Sequence, residues 1–107
     1  MLKEIQEVFD TLKQNNSLDA LEVGCDLAES AFGKEETHDD GIVVAKYVRD
    51  RIERIIVPDI EDEVARVREA WRIMDILRDN VQTTQETNIY LRILLILARN
   101  RDFDSYL

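Results

Sequence analysis

One cysteine, one proline, one histidine and three glycines are all that this 107-residue chain contains of those types. The lone Cys25 cannot close an intrachain disulfide, so the fold does not depend on an oxidising compartment. A β-sandwich or barrel of this size needs many more turn-forming residues, and their scarcity excludes that class. No long apolar run is present either. The stretch from Ile89 to Ala98 is broken by Arg92 and falls short of the roughly 20 residues that span a bilayer. An excess of basic residues is also missing. With 23 acidic and 14 basic side chains the formal charge is −9, which argues against direct contact with nucleic acid. The first residues, Met1 to Glu7, carry acids where a signal peptide needs a basic region and an apolar run, so the expected location is the cytoplasm.

What is present is helical periodicity. The hydrophobic content of 45% beside 35% charged residues fits one folded domain over residues 1–107. Leu2, Ile5, Phe9 and Leu12 fall on one helical face. Ser17 is placed to cap a second helix, Leu18 to Phe32, striped by Leu18, Leu21, Cys25, Ala28 and Phe32 and widened by Val23 and Leu27. Gly33 stands where a left-handed terminating residue is wanted. After a charged connector, Lys34 to Asp40, a third helix is expected from about Asp40 to Val57, with Val44, Val48, Ile52 and Ile55 inward and Pro58 at its end. A fourth, Asp59 to about Val81, carries Ile60, Val64, Val67, Trp71, Met74 and Leu77, and pairs Asp62–Arg66, Glu69–Arg72 and Asp75–Arg78 at helical spacing. Thr83 or Thr84 can cap a fifth, Glu86 to Arg99, apolar nearly all round and ended by Asn100. Such a helix must be central in the bundle or form a subunit contact. The expected fold is all-α, a single-domain bundle of four to five helices with a short tail over 101–107.

Charge divides this chain unevenly. Residues 1–40 hold three basic and eleven acidic side chains, whereas residues 41–107 hold eleven and twelve. Ten of the eleven basic residues after Asp40 are arginine, a side chain suited to interfaces by its planar fork and apolar stem. Candidate protein-binding residues are therefore Arg49, Arg51, Arg54, Arg66 and Arg72, with Tyr90 and Leu94 from the fifth helix. The acidic half offers a candidate face of Glu22, Asp26, Glu29, Glu35, Glu36, Asp39 and Asp40. The loop from Glu35 to Asp40 holds the only histidine, but it lacks the alternating spacing of a calcium loop and reads as a solvated connector. Cys25 sits on an apolar stripe among acids, the setting of an inert core thiol. Trp71 and Met74 read as core, with an exposed binding hot spot as the alternative for both. At the C-terminus, Phe103, Tyr106 and Leu107 can fold back on the bundle, and Ser105-Tyr106-Leu107 fits a short ligand pattern for strand-addition domains.

No catalytic constellation emerges, and no cofactor or metal is expected. The leading expectation is a non-enzymatic helical protein that binds another protein, as inhibitor, adaptor or immunity-type factor, with self-association into a dimer. Two alternatives make distinct demands. An acidic mimic of nucleic acid needs carboxylates spaced like phosphates over one continuous face. A magnesium-dependent enzyme of the all-α nucleotide-pyrophosphatase kind needs Glu4, Glu7, Glu22, Asp26 and Glu29 to converge in a cleft.

Overall fold

The computed structural model describes residues 1–15, 17–79 and 84–99. Among them the protein is all-α, with five helices: α1 (Lys3–Lys13), α2 (Leu18–Phe32), α3 (His38–Ile56), α4 (Glu63–Asp79) and α5 (Gln85–Arg99), plus a 3-10 turn at Glu35–Thr37. The expected caps form. The Ser17 hydroxyl accepts the Ala20 amide at 3.1 Å, and the Thr84 hydroxyl accepts the Thr87 amide at 3.2 Å. Thr83, Asn100 and the tail with Phe103, Ser105, Tyr106 and Leu107 lie outside the described residues.

The connector between α2 and α3 has more structure than its charge implies. The Thr37 hydroxyl donates to the Ala31 carbonyl at 2.7 Å, and the His38 Nδ1–H donates to the Phe32 carbonyl at 3.0 Å. Both satisfy carbonyls that the end of α2 leaves without helical partners. The His38 ring also stacks on Phe32, centroids 4.2 Å apart. His38 is thus committed to helix termination, and α3 begins two residues earlier than its sequence pattern indicates. Gly33 is right-handed, with φ −73° and ψ −8°, rather than the left-handed terminator expected. The side chains of Thr37 and His38 do the capping that a left-handed glycine would otherwise do.

At the start of α4 the difference runs the other way. The helix begins at Glu63 because the Asp62 carboxylate accepts the Ala65 amide at 2.9 Å, while Pro58 to Asp62 form a turn after α3. Glu69 and Arg72 pair as expected. Asp62, however, is occupied as a cap and does not pair with Arg66; the side chain of Arg78 lies outside the described residues.

Three helices make the core. α3 packs most extensively on α2 and next on α5, and α2 also touches α5. Leu21, Cys25, Ala28, Val44, Val48, Ile52, Ile89, Ile93 and Leu97 form its centre. α1 leans on this unit through Phe9 and Leu12, with Phe9 edge-on to Tyr47 at 5.3 Å. The ends of several expected stripes emerge into solvent: Leu2, Val23, Ile55 and Val64 are exposed. Each lies at the margin of a helix face or on a helix that the bundle covers from one side.

The α2–α3 crossing leaves no room for a side chain at Gly41. A Cβ there would stand 2.5 Å from the Phe32 amide nitrogen, 2.8 Å from its Cα and 2.9 Å from the Ala28 carbonyl oxygen. Backbone cannot yield as a flexible side chain does. Gly41→Ala is therefore expected to destabilise the fold by about 2–3 kcal/mol or more despite alanine's better helix propensity. Gly33→Ala, whose Cβ meets nothing nearer than 3.4 Å and whose φ is unstrained, is expected to change stability by less than about 0.5 kcal/mol. Urea unfolding of both variants checks the contrast.

Candidate functional site

α4 is attached to the bundle by charge. Arg66 is buried, yet its guanidinium reaches Asp50 Oδ1 at 3.0 Å, the Glu61 carbonyl at 3.1 Å and the Ile60 carbonyl at 3.4 Å. Its Nε faces Glu53 Oε1 at 3.9 Å. Glu53, fully buried on α3, accepts a 2.6 Å hydrogen bond from the Tyr90 hydroxyl of α5. Arg49 adds a contact to Glu63 Oε1 at 3.3 Å. One cluster therefore ties α3, α4 and α5 together. Burial pushes the Glu53 carboxyl above the ordinary carboxylate range, against the opposing pull of the Tyr90 hydrogen bond and of Arg49 and Arg66. Burial and the Glu53 charge likewise push Tyr90 up.

These positions overturn part of the expected interface. Arg49, Arg66 and Tyr90 are interior, held by partners of their own chain, and offer no surface to another protein. Arg54 is exposed but bonded to Asp50 at 3.0 Å, and Arg72 is exposed and bonded to Glu69. Arg51 is half-buried. The five arginines do not form one patch.

The acidic half is also reorganised. Arg92 of α5 donates to Asp26 at 2.6 Å and to Glu29 at 3.1 Å, and the Gln85 amide donates to Asp19 and Glu22, each at 2.9 Å. The hydrogen bonds that it donates to Glu29 and Asp26 hold the Arg92 guanidinium in its charged form. Glu22, Asp26 and Glu29 thus serve as a clamp on α5 as well as a surface. Glu35, Glu36 and Asp39 are exposed, and Asp40 accepts the Leu2 amide at 3.3 Å. Glu4 and Glu7 lie exposed on α1, so the five-carboxylate cleft required for a magnesium site is not formed. Among the described residues no group of three or more His, Cys, Asp or Glu is arranged to hold a metal ion. Cys25 is fully buried and its thiol is pushed up to about 12, chiefly by burial.

A groove lies between α4 and α5. Trp71, Met74 and Asp75 of α4 face Leu91, Leu94, Leu95 and Ala98 of α5 across a space of about 230 Å³. Leu94 is the one expected interface residue that lines it, as buried floor. Trp71 is half-buried, packed against the core on one side and edging the groove on the other. Of the residues that line this groove, Leu95 is 62% exposed and Leu91 42%. Sequence reasoning missed Leu91, Leu95 and Ala98 as a distinct strip because α5 reads as apolar on every side. A larger groove of about 520 Å³ runs between α1 and α2, with Val8, Leu12, Ala20 and Val23 beside the polar Thr11, Asn15, Ser17 and Asp19. Comparison with protein-family models, curated proteins and solved structures finds no match for this chain.

The raised Glu53 carboxyl has a pH consequence. The folded state holds this proton more tightly than the unfolded chain, so the group favours folding below its ordinary value of 4.5. That contribution is lost as pH rises through the raised value. Glu53→Gln removes the titration but keeps an acceptor for Tyr90. The stability of Glu53→Gln relative to the parent is therefore expected to increase as pH rises above 4.5, as read from urea midpoints of both proteins at several pH values. A difference that stays constant with pH contradicts the assigned direction.

Proposed function

We propose that this chain is a small non-enzymatic helical protein that works in the cytoplasm by binding another protein, as an inhibitor, adaptor or immunity-type factor. The observation that carries this reading is the α4/α5 groove, with Leu91 and Leu95 exposed beside a half-buried Trp71. Scattered apolar residues on a surface need no explanation, but a contiguous set beside an apolar groove is the composition of a docking site. The volume of about 230 Å³ lies below the roughly 300–1,000 Å³ of small-molecule pockets and suits one or two inserted side chains. Among the described residues no helix is long and apolar enough to cross a membrane, so the exposed strip does not belong to a membrane span. The acidic-mimic alternative draws on fewer independent charges than its sequence implies, because Arg92 and Gln85 engage the α2 carboxylates.

The test is a comparison of variants in the native host. Leu91→Asp/Leu95→Asp alters only exposed positions and is expected to retain the parent's circular dichroism and melting temperature. It is expected to lose at least about tenfold in affinity for a co-purifying protein, the scale of removing one well-buried anchor. Val23→Asp, on the exposed face of α2, is expected to bind like the parent. Partners retained equally by both variants would remove the groove as the binding surface.

A further inference from the structure

Resting on the reading of the α4/α5 groove as a docking surface, we infer that in the free protein its occupant is a second copy of this chain, seated by an antiparallel α5–α5 contact about a two-fold axis beside Leu94 and Leu95. The patch has the self-complementarity that such an axis demands, because ridge and groove occur on the same surface. Leu91 and Leu95 project from the strip whose Ala98 end is small, and all three line the groove. An antiparallel pairing centred between positions 94 and 95 sets Leu91 of each copy over Ala98 of the other, large against small. It also brings Leu95 against its counterpart near the axis. The 4-and-3 spacing of Leu91, Leu95 and Ala98 is that of a helix–helix seam.

Charge chooses between a second copy and another occupant. Two identical chains of charge −9 repel through most of their surfaces, and eight units of that excess belong to residues 1–40, on α1, α2, the turn before α3 and the first turn of α3. α4 instead carries four basic and four acidic residues, and α5 two basic and one acidic. The α4/α5 groove, whose lining carries one charged side chain, Asp75, is therefore where two copies approach with the least like-charge repulsion. A partner recruited by opposite charge would be drawn to the acidic half.

Sedimentation of the full chain over a range of concentrations tests this. The parent is expected to form a reversible dimer, and Leu95→Asp to weaken it at least about tenfold, while Val23→Asp does not. Disulfide trapping supplies an orthogonal reading. Leu95→Cys, beside the axis, is expected to cross-link to its own copy under mild oxidation and Val23→Cys is not. Cys25 does not interfere because it is fully buried. A parent that remains monomeric, or a dimer indifferent to Leu95→Asp, overturns the inference. In a monomer, rapid alkylation of the Leu95→Cys thiol leaves the groove open for a foreign protein, so only the second copy is refuted. Slow alkylation means that the groove is covered from within the chain, which refutes the docking surface as well.

Discussion

The crossing of α2 and α3, the most extensive helix contact among the described residues, sets the position of everything else. Gly41 lies against the peptide between Ala28 and Phe32, and Gly24 lies against Val48, where a Cβ would stand 2.7 Å from Cγ2. Two glycines on facing helices bring the axes close enough for Val44, Val48 and Ile52 to meet Leu21, Cys25 and Ala28 without a gap. The shared surface of α2 and α3 is then the bed for α5, whose Ile89, Ile93, Ile96 and Leu97 complete the core. Glycine costs about 1 kcal/mol in a helix interior relative to alanine. Here that cost is offset by contacts along the whole crossing, since core methylenes are worth about 0.8 kcal/mol each.

α4 follows a different rule. It packs mainly on α3, less extensively than α2 or α5 does, and its anchors are Arg66 and the contact between Arg49 and Glu63. Removing charges from water is expensive, and a buried ion pair seldom adds net stability over an apolar substitute. Its effect is instead on position. The Arg66 guanidinium accepts only an arrangement in which Asp50, the Ile60 and Glu61 carbonyls and the Glu53 carboxylate surround it. Tyr90 joins the same carboxylate from α5. Val67, Ala70 and Met74 of α4 are buried as well, so apolar packing and these polar contacts together hold the helix in place.

The parts of this structure that were legible in the sequence are those governed by local rules. Ser17 and Thr84 cap as their side chains and positions require, and the stripe Val44–Val48–Ile52 is interior as its spacing requires. The buried charges were not legible, because arginine and glutamate within a helix read as its solvated face. A signal was nonetheless present. Gly41, Ala45, Arg49 and Glu53 recur every fourth residue beside the apolar stripe, and Arg66, Ala70 and Met74 do the same on α4. All seven are buried. A charged residue that continues a row of small or apolar positions at spacing four lies on the inner face whatever its charge. The extra start of α3 and the late start of α4 had another cause: side chains of Thr37, His38 and Asp62 satisfied backbone groups that hydrophobic periodicity does not report.

The acidic first half and the near-neutral second half are joined at α5. Arg92 is fixed between Asp26 and Glu29, and Gln85, two turns earlier on the same side, bonds Asp19 and Glu22. With 3.6 residues per turn, fixing Arg92 on α2 fixes the rotation of α5 about its axis. Leu91, Leu95 and Ala98 then lie about a quarter turn away, toward α4 and solvent, while Ile89, Ile93 and Ile96 face the core. The carboxylates of α2 thereby have a consequence beyond their own surface. By gripping the polar side of α5 they orient its surplus of apolar residues, more than three helices can cover, into a single strip beside Trp71. The carboxylates that make the first half acidic thus also hold the helix that carries the exposed apolar strip.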